Sequence, residues 1–300
     1  MMELPEQVTI KEVGPRDGLQ NEKEEIPTDQ KVAWIEKLAN TGLSYIEITS
    51  FVHPKWIPQL KDAVEVAKRV NKKENMTIAA LVPNMKGLER ALEADIDEVS
   101  IFMSVSETHN KKNINKSIEE TYPILNEVVR EAKLANKSVR GYISTAFGCP
   151  YEGQVEEQQL VKVCNNLFEM DIDELSIGDT IGVANPLQVS SVLKKLERYF
   201  PKDQLALHFH DTRGLALANT LAALQLGFHT FDSAAGGLGG CPYAKGASGN
   251  VATDDLNYML QSLGIHTGVD QAKLLEATSY IQEMIDRPLP SKQMQILSRS

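Results

Sequence analysis

Residues 205–211 read LALHFHD, an apolar run with the composition of a strand buried on both faces. His208 and His210 stand two apart, so their imidazoles project from the same side of that strand. Two neighbouring imidazoles are costly to bury unless something satisfies them, and a divalent cation does so well. The plainer alternatives are two core histidines bonded to backbone carbonyls, or an exposed edge strand. The surrounding sequence has to choose between these.

Outward from this run the chain alternates regularly. Short β-rich runs occur at Val8–Val13, Tyr45–Thr49, Thr77–Leu81, Glu98–Met103, Ser138–Ser144, Glu174–Gly178, Leu205–His210 and Thr230–Ala235. Amphipathic stretches lie between them, among them Thr28–Asn40, Ile118–Ala135, Glu156–Met170 and Leu215–Leu226. Thr28 and Asp29 before the first helix, and Asn185-Pro186 before the sixth, read as helix starts. Eight strand–helix units, roughly 25–40 residues apart in a chain somewhat above the ~250 residues typical of the fold, predict a (β/α)8 barrel. A doubly wound open sheet is the alternative, because spacing alone does not distinguish closure from an open edge. Residues 1–300 are expected to form one catalytic barrel, with those after about Gly264 as C-terminal helical additions.

Composition narrows the function. The 300 residues are 42% hydrophobic and 24% charged, with a formal charge of −10 and a pI near 5.2. That balance opposes a nucleic-acid or anionic-membrane surface. No apolar run approaches the ~18–20 residues that span a bilayer, and the opening MMELPEQ has neither a secretory nor a transit pattern. Three cysteines, Cys149, Cys164 and Cys241, make a poor disulfide framework. A reducing cytoplasm fits these features, with no nucleic-acid or membrane partner.

A barrel should gather its chemistry where strands end, at the C-terminal face. The polar residues comply. The first strand leads into GPRDGLQNE (14–22), which places Arg16 and Asp17 at the mouth; the second, YIEIT, embeds Glu47 among apolar residues. The sixth runs into GDTIG with Asp179 and Thr180, the seventh ends in the histidine pair and Asp211, and the eighth leads into AAGGLGGCPYAKGASGN (234–250). A buried carboxylate such as Glu47 must be paired or perturbed. Arg16 is its natural partner, which leaves Asp17 free to meet a metal. Asp17, His208, His210 and the amide of Asn250 then form a mixed N/O set suited to Mg2+ or Mn2+, with Zn2+ or Co2+ possible on imidazole preference.

The thiols differ in setting. Cys241 lies in a segment with six glycines between 236 and 249; this reads as a mobile lid carrying a polar thiol, with Lys245 near it. Most free cysteines are instead small buried residues. Cys149 sits in a similar GCPY (148–151) and is the rival, while Cys164 falls in an amphipathic helix.

At GPRDGLQNE (14–22), EITSFVHPKWIPQ (47–59), KKNIN (111–115), GDTIGVANP (178–186), HFHDTRG (208–214) and GGLGGCPYAKGASGN (236–250) the chain closely resembles the hydroxymethylglutaryl-CoA lyases over nearly its whole length. The last segment resembles the family's signature around a reactive cysteine. The resemblance implies a (β/α)8 fold, a divalent cation, usually Mg2+ or Mn2+, and a homodimer. It also implies cleavage of 3-hydroxy-3-methylglutaryl-CoA to acetyl-CoA and acetoacetate, in leucine breakdown or ketone-body formation. Arg16, oriented by Glu47, would stabilise the enolate, Asp179 or His208 would act as base, and Cys241 would return a proton. Gln20, Lys112, Asn113 and Thr180, with Arg16, are expected to contact the acyl-CoA substrate. A condensing enzyme of the same barrel group and a silent metal- or CoA-binding barrel are the competing functions.

Overall fold

A computed structural model describes residues 4–22, 24–241, 244–285 and 287–298, with the backbone alone for 241 and 244–248. Eight parallel strands close into a barrel in sequence order: β1 Thr9–Glu12, β2 Tyr45–Ser50, β3 Thr77–Leu81, β4 Glu98–Ser104, β5 Ser138–Ser144, β6 Glu174–Asp179, β7 Leu205–Phe209 and β8 Thr230–Ser233. The expected strands are present, and closure excludes the open sheet: β1 pairs with β8 from Thr9↔Thr230 to Glu12↔Ser233. Val, Ile, Leu and aromatic side chains on the outer strand faces pack against the surrounding helices. Trp34, Ile35 and Leu38 of helix Thr28–Ala39, with Ile46 and Ile48 of β2, belong to this buried layer.

The helix starts divide. Asn185 caps helix Pro186–Leu196 as expected, its side chain accepting the N–H groups of Leu187 and Gln188. At the first helix the expectation is corrected. Pro27 holds the capping position, and Thr28 begins the helix without a side-chain cap. Its hydroxyl donates instead to Asp62 at 2.7 Å, because an aspartate across the layer offers a charged acceptor. Beyond the barrel, helix Gln271–Ile285 buries Leu274, Ala277 and Ile281 and packs against helix Thr28–Ala39. A short helix, Lys292–Leu297, follows. No described helix is long and apolar enough to cross a membrane.

The described part of the glycine segment after β8 includes regular structure. Ala235–Gly237 makes a buried turn, then β9 (Gly240–Cys241) and β10 (Ala244–Ser248) pair antiparallel. Gly236 needs its glycine, since φ is +67° and a Cβ would strike Leu289 and Thr278.

Glu12 stitches this closure. Its carboxylate accepts the N–H groups of Gly14 at 2.7 Å and Ala235 at 3.0 Å, and the Thr253 hydroxyl at 2.6 Å. Burial nevertheless pushes its pKa up from 4.5 to about 7. Between those values the folded chain binds a proton that the unfolded chain releases, so this group's contribution makes stability fall as pH rises. Glu12→Gln is therefore expected to flatten the fall in melting temperature between pH 5 and 8, removing a slope worth about 3 kcal/mol. Calorimetry across that range checks it, and an unchanged slope contradicts it. Asp254, raised to about 6 by its own burial, retains the remainder.

Candidate active site

Directly after β1, Gly14–Gly18 forms a single π-helical turn, a distortion frequent at functional sites. The N–H groups of Arg16 and Asp17 both turn back onto the Val13 carbonyl, at 3.1 and 2.7 Å. Consecutive side chains thereby point together into the mouth. Arg16 Nε donates to Glu47 Oε2 at 2.5 Å, as the sequence leads one to expect. Its Nη1 also engages Asp17 Oδ1, so Asp17 is not left free. Gln20 Nε2 donates to the same oxygen at 2.8 Å, and Asn250 Nδ2 donates to Oδ2 at 2.7 Å. The reason is geometric: a planar guanidinium has enough donors to bridge two carboxylates. Burial works to raise the Asp17 pKa, but Arg16 and the two imidazoles outweigh it and hold it at about 2.

His208 in β7 and His210, just past its end, lie side by side with ring centroids 5.2 Å apart. His210 pairs with Asn250 in an isolated antiparallel bridge, which brings the end of the glycine segment to the histidine pair. One ligand atom each from Asp17, His208 and His210 lies within 4.8 Å of the others. Among the described residues, His210 Nδ1 and Asn250 Oδ1 are buried without a hydrogen-bond partner. Burial, reinforced by His208, drives the His210 pKa down to about 3, so its ring is neutral with a lone pair to give. Two buried lone pairs beside an ionised carboxylate match a hard or borderline divalent cation. Gly239 makes the close approach possible. At φ +108° it tolerates what L residues do not, and a Cβ would lie 2.9 Å from Asn250 Nδ2.

Other sequence-designated residues take separate places around the rim. Asp179 ends β6, but its oxygens accept the N–H groups of Val183 and Ala184 at 3.0 Å each. Burial raises its pKa to about 6. Thr180 Oγ1 accepts the Thr145 N–H at 2.8 Å. Lys112 and Asn113 are exposed on helix Glu107–Ile114 following β4, with the Lys112 ammonium 4.9 Å from the Tyr151 ring centroid. Asp211 Oδ1 accepts the Ala216 N–H at 3.0 Å and so serves the next helix start. The Cys241 and Lys245 side chains lie outside the described residues.

A model of the HMGL-like family matches residues 7–281. The chain belongs to the HMGL-like family. Hydroxymethylglutaryl-CoA lyase YngG of Bacillus subtilis (strain 168) is 58% identical over 299 residues, 100% of each chain. A crystal structure of the Bacillus subtilis HMG-CoA lyase superposes with a TM-score of 0.98 at 57% identity, covering 99% of this chain and 100% of that one. An HMG-CoA lyase from Acinetobacter baumannii, in complex with coenzyme A and 3-methylmalate, superposes with a TM-score of 0.93 at 37% identity over 98% and 96%.

In this HMGL-like barrel the interior is charged where many barrels hold Val, Ile and Leu. Arg140 on β5 donates to Asp232 on β8 at 2.6 Å and to Glu174 on β6 at 2.5 Å, and Lys11 on β1 reaches Glu174 at 2.7 Å. Tyr142 donates to Glu47 at 3.2 Å and presents its ring 5.2 Å from the Arg16 guanidinium. Sequence reasoning did not single out Arg140, Tyr142 or Asp232. The signal was available: each is a polar residue inside a strand, the feature that picked out Glu47.

Proposed function

We propose that this chain is a hydroxymethylglutaryl-CoA lyase, cleaving 3-hydroxy-3-methylglutaryl-CoA to acetyl-CoA and acetoacetate. The observation that carries the reading is the convergence of Arg16, Asp17, His208, His210 and Asn250 at the C-terminal mouth of the barrel, in a chain 58% identical to a lyase of that name. Asp17, His208, His210 and Asn250 would hold the cation, for which the mixed N/O set favours Mg2+ or Mn2+. When bound, that ion acidifies the substrate's tertiary hydroxyl.

The protein's residues divide the remaining work. Asp179 is the proposed base. Each of its oxygens keeps a lone pair beyond the backbone N–H it accepts, and a pKa near 6 is tuned for proton transfer at neutral pH. As the hydroxyl proton leaves, the C2–C3 bond breaks, C3 becomes the ketone of acetoacetate, and the bonding pair passes into the thioester enolate. Arg16, locked between Glu47 and Asp17, directs positive charge at the enolate oxygen. Cys241 gives its thiol proton to C2 and completes acetyl-CoA. Gln20, Lys112, Asn113 and Thr180 are proposed to position the acyl-CoA.

The same reading takes residues 1–300 as one catalytic barrel that works as a homodimer in leucine breakdown or ketone-body formation. A reducing cytoplasm suits Cys149 and Cys164, which are free and buried.

The metal assignment has its own test. His208→Ala and His210→Ala are each expected to abolish tight Mn2+ binding while circular dichroism stays unchanged, with electron paramagnetic resonance reporting the free ion. Undiminished binding in both variants would return the pair to core histidines.

A further inference from the structure

His208 is held from behind by an acid that lies deeper in the barrel. Its Nδ1 sits 3.1 Å from Asp232 Oδ2, across the β7–β8 register pair His208↔Asp232. Asp232 is wholly buried yet well supplied with donors: Ser176 Oγ donates to Oδ2 at 2.7 Å, and Arg140 Nη2 donates to Oδ1 at 2.6 Å. Arg140 is anchored in turn by Glu174, which Lys11 neutralises from the far side. The result is a column of alternating charge, Lys11–Glu174–Arg140–Asp232, ending under His208.

We propose that Asp232 is a positioning residue that fixes His208 in the Nδ1–H tautomer, so that Nε2 faces the mouth as a lone pair for the cation, and that the Arg140–Glu174–Lys11 column holds Asp232 in place for this task. The argument is one of proton counting. A carboxylate engaged by a guanidinium and a hydroxyl donor is an acceptor only, so the proton between it and His208 belongs to Nδ1. With Nδ1 turned to Asp232, the nitrogen left to meet a cation is Nε2, which lies 4.0 Å from Asp17 Oδ2, in the ligand cluster. His210 has no such support: its Nδ1 lacks a partner among the described residues. The two histidines therefore differ, and His208 is the pre-set one. Outer partners of this kind typically contribute 10–100-fold to metal affinity.

The inference rests on the metal reading above, and its test separates the two. Isotope-labelled, metal-free full-length protein is examined by long-range 15N–1H NMR, with the six imidazoles assigned by single replacement, and Mn2+ affinity is measured by electron paramagnetic resonance. The expected result is an Nδ1–H signature for His208 in the wild type. In Asp232→Asn, whose amide can donate to Nδ1, the signature moves to Nε2–H and Mn2+ binds 10–100-fold more weakly. An Nε2–H signature in the wild type overturns the proposal and needs no variant to fold. So does a folded Asp232→Asn that keeps both the tautomer and the affinity. A wild type that binds no Mn2+ at all removes the metal reading itself, and the positioning role with it.

Discussion

Arg16→Lys is expected to lower turnover roughly 10²–10³-fold, the loss seen when one preorganised donor to a developing oxyanion is removed, with a much smaller change in CoA affinity. Arg16 does three things at once. It pairs with Glu47 through Nε, engages Asp17 through Nη1 and, in the proposed mechanism, turns its remaining N–H groups to the substrate. A lysine ammonium is a point charge without a planar fork, so it cannot span Glu47 and Asp17 and still meet the enolate oxygen. Glu47 is fully buried and its Oε1 already lacks a partner among the described residues, so part of the cost falls on the fold. Comparing kcat with KM and recording the melting temperature separates the effects. Near-normal turnover in a destabilised variant would make Arg16 a structural partner of Glu47 and nothing more.

Cys241→Ser is expected to cost roughly 10²–10⁴ in turnover, the range for a positioned general acid, and Cys149→Ser far less. The rival thiol is occupied. Cys149 is buried, donates to Ser106 Oγ at 3.0 Å, and receives the N–H groups of Tyr151 and Glu152 on its sulfur at 3.3 and 3.4 Å. It is built into the turn closed by the Cys149↔Gly153 bridge, where serine can make the same bonds. Alkylation should inactivate the enzyme at Cys241 and slow when substrate is bound, with mass spectrometry locating the modified residue. Inactivation that tracks Cys149 or Cys164 contradicts the assignment.

The barrel was legible because eight apolar runs of strand length alternate with helical periods, and the polar residues sit where those runs end. Glu47 and the histidine pair stood out as polar residues inside apolar strands. Period and spacing stop short of what pairing decides. Asp232 and Arg140 face one another only once β5 and β8 curve around a common axis, so a contact 92 residues apart in sequence has no local trace. The double engagement of Arg16 depends on a π turn that no propensity scale marks. At Thr28 the sequence offers a good capping residue, but Asp62, supplied by a segment after β2, is the stronger acceptor. The glycine segment reads as a mobile lid because its strands are short, and only their mutual pairing makes β9 and β10.

The most direct test is to supply purified protein, reconstituted with Mg2+ or Mn2+, with 3-hydroxy-3-methylglutaryl-CoA and to follow both products. Acetoacetate and acetyl-CoA should appear in equal amounts, stop with chelator, and resume when the cation is returned. Full metal occupancy with no acetoacetate formed would contradict the account.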